Sequence, residues 1–162
     1  MINASRLAGF FAAHAVRCVS DGDTLIPMLA YLVGDGGRMM ERYVGENVGA
    51  SDSVARRKLE SNAMNAEDAA LLYDGRITIA EQKIDAIIIE MRAYFLPESE
   101  VVIAVPYTPK GNGNFRVHRP KLLAWKNCDD FDSSAVLQSF FDGVDEHEEG
   151  SKIWNECLDE SK

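Results

Sequence analysis

"LLYDGRITIAEQKIDAIIIEMRAYFLPESEVVIAVPY", residues 71–107, decides the fold, because the period of its apolar residues changes along its length. Leu71, Tyr73, Ile77 and Ile79 alternate with Leu72, Asp74, Arg76 and Thr78, the two-residue period of a half-buried strand. Gly75 within that run marks a bulge or a close backbone approach. After the turn AEQK, the segment IDAIIIEMRAYF is apolar on both sides at its start and alternates towards its end, as a central strand does when helices cover part of the sheet. A second turn, LPES, leads into VVIAVPY, a third buried strand. Links this short join antiparallel neighbours, since a parallel crossover needs about a dozen residues or more.

Working outward, NFRVHRPKLLAW (114–125) reads as the last strand, joined to VVIAVPY by a hairpin whose tip is KGNGN. Glycine and asparagine there supply the positive φ angles of a reversal. Upstream, TLIPMLAYLV (24–33) is a strand that Pro27 demotes to a sheet edge or bulge, and RMMERYV (38–44) returns as its partner after the turn GDGG at 34–37. Following the loose stretch GENVGAS (45–51), Ser51 or Ser53 caps a short polar helix reaching about Asn62. Leu7, Phe10, Phe11, Ala15 and Cys18 give the first segment a helical period, with Asn3 or Ser5 as cap and Asp21-Gly22 as its end. At the other terminus Asp132 or Ser133 caps a helix striped by Val136, Leu137, Phe140, Phe141 and Val144; Ile153, Trp154, Cys157 and Leu158 repeat the spacing. The expected fold class is α+β: one domain over residues 1–162, with an antiparallel meander of about five or six strands. Helices from both termini pack on it, and 129–162 form an acidic helical C-terminal segment.

The 162 residues suffice to bury roughly 70% of the extended-chain surface, so a core forms without a staple. Cys18, Cys128 and Cys157 are widely separated with no C-x-x-C pair, which excludes a disulfide framework or zinc spacing and fits a reducing cytoplasm. RLAGFFAAHAV has the arginine, apolar run and Ala13-His14-Ala15 triplet of a secretion signal. Its run is short, however, and spaced as an amphipathic helix. No stretch approaches the ~20 apolar residues of a membrane helix.

Charge is distributed unevenly. The formal net charge is −9; residues 129–162 contain 11 acidic and 2 basic residues, and residues 1–128 contain 15 of each, so the whole excess lies in the last fifth of the chain. No Asp or Glu falls between Glu100 and Asp129, an interval holding Lys110, Arg116, Arg119, Lys121 and Lys126. The overall charge disfavours a nucleic-acid backbone. The acidic segment can neutralise the basic hairpin internally, although surface pairs are individually worth only ~0–1 kcal/mol.

The basic hairpin is not a P-loop, because its lysine precedes the glycines, no Ser or Thr follows, and a strand rather than a helix comes next. As an anion site it would use Tyr107, Lys110, Arg116, His118 and Arg119, the arginines gripping carboxylate or phosphate bidentately. Asp21 and Asp23 lack the remaining ligands of a calcium loop and read as a helix end. His14 falls near an apolar face as a core or rim residue, whereas HEEG at 147–150 reads as solvated surface. No nucleophile motif appears; Asp74, Asp85 and Glu90, on buried strands, would have the raised pKa of a general acid if unpaired, and pairing with Arg76 or Arg92 across a hairpin is the expectation.

Two functional classes follow. The first is a small soluble intracellular protein without catalysis, of inhibitor, immunity or adaptor type, engaging a basic protein surface through Asp142, Asp145, Glu146, Glu148 and Glu149. The alternative is a binding protein or enzyme for a small anionic ligand at 105–121. Neither requires a metal, cofactor or membrane, and an edge strand at Pro27 leaves room for a homodimer.

Overall fold

The computed structural model describes residues 1–34, 36–45 and 48–161. The turn expected at 34–37 includes Asp35 and the loose stretch at 45–51 includes Glu46 and Asn47, which, with Lys162, lie outside the described residues. The order of elements is α1 (Ile2–Ser20), β1 (Met28–Leu32), β2 (Arg38–Arg42), α2 (Val48–Ser61), β3 (Asp68–Ile79), β4 (Gln82–Ala93), β5 (Glu100–Thr108), β6 (Arg116–His118), β7 (Lys121–Lys126), α3 (Ser133–Asp145), α4 (Glu148–Cys157) and β8 (Leu158–Asp159).

The chain is α+β; the described residues place eight strands in one sheet ordered β2-β1-β3-β4-β5-β6-β8, with β7 on β5 as well. The β3-β4-β5 meander is as its alternation dictates, in unbroken register from Asp68↔Ala93 to Ile79↔Gln82 and from Ala86↔Pro106 to Met91↔Val101. Gly75 marks a close approach: a Cβ there would lie 2.9 Å from Ile88 Cγ1.

The sheet is larger than expected and mixed rather than purely antiparallel. Arg119-Pro120 interrupt the presumed last strand, so β6 pairs the outer end of β5 (Tyr107↔Val117) while β7 pairs the inner end (Glu100↔Lys126), with a register shift at Val102/Ile103. The C-terminus then adds β8 parallel to β6. Nor is β1 an edge strand; it lies between β2 and β3. Pro27 precedes it and contributes only its carbonyl, which accepts from the Tyr43 N–H at 2.9 Å, so its missing donor costs the sheet nothing. The edge strand expected at Pro27 is thus a strand paired on both sides.

One face of the sheet packs beneath α1 through Met28, Leu72, Ile87, Ile89 and Ile103, against Leu7, Phe11 and Val16. Helices α3 and α4 complete this core with Val136, Phe140, Val144 and Trp154. The other face receives α2 through Ala55 and Leu59, which sit on Leu29, Ala69 and Leu71. Two caps differ from expectation and one agrees. α1 starts at Ile2 with Met1 as a cap lacking a side-chain bond, and Ser5 is buried, donating to the Val136 carbonyl. Ser51 and Ser53 lie inside α2. Asp132 does cap α3, accepting from the Ser134 N–H at 2.9 Å, and Leu137 leaves the stripe, 42% exposed.

Candidate functional site

The basic hairpin and the acidic C-terminus meet at β6. His118 is 1% exposed. Its Nδ1 faces the Asp159 carbonyl at 3.3 Å, which can only accept, so Nδ1 carries the proton and Nε2 accepts from the Thr108 hydroxyl at 3.0 Å. Arg119 pairs with Glu160 at 3.1 Å, and Arg116 lies close enough to Asp159 to help hold its carboxyl below the usual range, after the Ser161 hydroxyl and N–H. Tyr107 is turned inward, 6% exposed, and donates to Asp74 Oδ1 at 2.8 Å.

The five residues expected to grip an anion are therefore divided. Tyr107 and His118 are spent inside the fold, Arg119 is paired, and only Lys110 and Arg116 remain exposed without an ion pair among the described residues. Five hollows on the surface have none of these five in their walls. One is an apolar cleft of about 350 Å³ between Leu122 and Trp125 of β7 and Val136 and Leu137 of α3. The neighbouring free edge of β7 is guarded by a lysine at each end and by the register shift, devices that discourage strand addition.

The acidic segment is divided too. Glu146 is gripped by both Arg6 and Arg38, which hold its carboxyl below the usual range although burial opposes ionisation. Glu149 reaches Arg17 at 2.9 Å and Glu148 reaches Lys152 at 3.6 Å. Asp142, by contrast, takes a Gln138 amide at 3.0 Å and no ion pair among the described residues. Asp129, Asp130, Asp145 and Glu156 are exposed and form no ion pair among the described residues. Gln138, Asp142 and Asp145, at spacings of four and three, share the exposed half of α3 with Leu137.

The sheet carboxylates are mostly satisfied. Asp85 pairs with Arg76 across the β3-β4 hairpin at 2.9 Å, as expected. Glu90, 8% exposed, instead finds Arg56 of α2 at 2.8 Å and the Tyr73 hydroxyl at 2.8 Å, while Arg92 takes Glu100 at 2.9 Å. Burial pushes the Tyr73 hydroxyl up to about 12, with Glu90 adding to the effect. Burial also raises the Asp74 carboxyl, against the pull of its Tyr107 bond. Asp68 is 3% exposed; its carboxyl too is raised by burial, against the pull of the nearby N-terminal ammonium. The partnership of Glu90 with Arg56 was not readable, because α2 has too few apolar residues to announce which face it covers.

Among the described residues no group of three or more His, Cys, Asp and Glu is placed to hold a metal, and no helix is long and apolar enough to cross a membrane. The sequence reading missed one cluster, formed by His14, Cys18, Arg42 and His147. His147 is half-buried and caps α4 by accepting the Gly150 N–H at 3.0 Å, rather than standing in solvent. Its only sequence signal was the spacing His147-x-x-Gly150. No protein-family model, curated protein or solved structure matches the chain.

Proposed function

We propose that this chain is a protein-interaction module without catalytic chemistry, of inhibitor, immunity or adaptor type, which docks a basic partner surface on the outward side of α3 and α4. The observation that carries the reading is the division of the acidic segment. Glu146, Glu149 and Glu160 meet arginines of the same chain, whereas Asp142, Asp145 and Glu156 do not. The paired residues hold the segment down and the others supply the docking charge. Leu137, 42% exposed beside them, offers an apolar anchor within a charged rim. The pairing of His118, Tyr107 and Arg119 inside the molecule favours this reading over an anion site at 105–121.

The test neutralises the docking charge without touching the internal pairs. Immobilised wild type and the Asp142→Asn/Asp145→Asn/Glu156→Gln variant are compared for capture of basic proteins from a cell extract. Circular dichroism serves to check that both are folded. A band retained by wild type and lost in the variant is expected; equal capture by both would place the docking surface elsewhere.

A further inference from the structure

Between α3 and β7 the apolar core opens to the surface. Val101, Ile103 and Val136, all buried, line the cleft of about 350 Å³ together with Leu122, which is 55% exposed, Leu137 and the half-buried Trp125. Its polar lining comes from Ser133 and Ser134 at the start of α3. Small-ligand sites have this character, a mostly apolar hollow of roughly 300–1,000 Å³ with a few polar groups that fix orientation. The charges around it decide which ligand fits.

The strand register turns the cations away. Trp125 pairs with Val101 and Leu122 with Ile103, so these four share the sheet face covered by α1 and α3. Lys121 and Lys126 pair with Ala104 and Glu100 and belong to the opposite face, where Lys126 is spent on Glu100 at 2.8 Å. Arg119, before Pro120 of the rim, is held by Glu160. The carboxylates, by contrast, stay near. The segment linking Trp125 to Ser133 carries Asp129, Asp130 and Asp132, all exposed and without an ion pair among the described residues. Asp130 is three residues from Ser133, so the backbone separates them by about 11 Å at most. The positive end of α3 does not reverse this sign, because Asp132 already occupies it, taking the Ser134 N–H at 2.9 Å and hydroxyl at 2.6 Å. Having given its hydrogen to Asp132, the Ser134 hydroxyl can only accept. An anion in the cleft would meet like charge and a spent hydroxyl, whereas a cation would meet acceptors.

We propose that the cleft between α3 and β7 binds a small amphiphilic cation, an alkyl- or arylalkyl-ammonium. Its apolar body lies among Leu122, Trp125 and Leu137, and its charge sits towards Asp129, Asp130 and Asp132. The Trp125 indole favours the same sign, since the face of an aromatic ring attracts an ammonium. The site does not depend on whether α3 and α4 dock a basic partner. Asp142, Asp145 and Glu156 are not in its walls, and Leu137, which both surfaces use, is left intact in the test.

The test titrates the full chain at pH 7 with n-octylammonium, n-octanoate and n-octanol, which share a chain length and differ in charge. Trp125 fluorescence follows binding; Trp154, the other tryptophan, is buried. Octylammonium should bind at least tenfold more tightly than octanoate, and methylammonium, which has the charge without the apolar body, should give no response. Asp129→Asn/Asp130→Asn should cut the advantage over octanoate below threefold and leave octanol binding unchanged. Trp125→Phe keeps an aromatic wall and should abolish the signal. Should that variant not fold, the methyl resonances of Leu122 and Val136 in wild type read the same contact. Equal affinity for octanoate and octylammonium, no response to octylammonium below its micelle concentration, or a response that survives in folded Trp125→Phe would overturn the site.

Discussion

Asp74 shows how a single residue can be favourable in its geometry and costly in its charge. Its carboxylate receives the Tyr107 hydroxyl at 2.8 Å, yet burial raises its pKa, with Asp85 nearby adding to the rise. The sign follows by linkage. Above its folded pKa the ionised group costs stability relative to the unfolded chain, whereas below the unfolded value of about 3.9 both states are protonated and the cost vanishes. Asp74→Asn keeps an acceptor for Tyr107 and removes the charge. It should raise the melting temperature at pH 7, with the gain fading by pH 3; thermal unfolding at the two pH values checks this. A lower melting temperature at pH 7 would mean that the carboxylate is a net asset.

At the level of elements, α1 meets α3 and α4 almost backbone to backbone. A Cβ on Gly143 would lie 2.0 Å from the Arg6 carbonyl oxygen, one on Gly9 1.8 Å from that of Phe140 and one on Gly150 2.4 Å from that of Ala13. Gly143→Ala must therefore push the helices apart, a strain of the overpacking kind that costs about 1–3 kcal/mol. A fall in melting temperature of roughly 2–12 °C is expected for a chain of this size. Gly111→Ala, where a Cβ meets nothing within 4 Å, should leave it unchanged. None of this close packing was visible beforehand, because a glycine in a helix reads only as a weak position. What the sequence did disclose was periodic. Ile77 and Ile79 alternating with Arg76 and Thr78, then the run from Ile84 to Glu90, specify β3 and β4 as neighbouring strands, although their register is seen only in the structure. Pro27 misled because a missing donor matters only where the partner strand needs one. β8 is two residues long, too short to carry any period, so its parallel pairing with β6 depends on where α4 delivers the chain. For the site, charge segregation was legible from composition, but which carboxylates stay free was not. That is decided by Arg6, Arg17 and Arg38, more than a hundred residues distant from their partners.

For the whole molecule, the organising quantity is where the net charge of −9 resides. The N-terminal 128 residues are neutral in sum and supply the arginines that bind the acidic segment back, and the excess is spread over α3, α4 and the residues that flank them. A docking surface built from exposed carboxylates acts through fields that salt screens within about 8–10 Å, so it should govern association rate and salt response more than the fold. The most direct measurement is the equilibrium affinity for the captured basic partner between 0.05 and 0.5 M salt, on the order of a Debye length of 14 down to 4 Å. The account predicts that wild type weakens at least tenfold over that range and that Asp142→Asn/Asp145→Asn/Glu156→Gln, already weak, barely responds. Affinity independent of salt, or the same in both proteins, would contradict it.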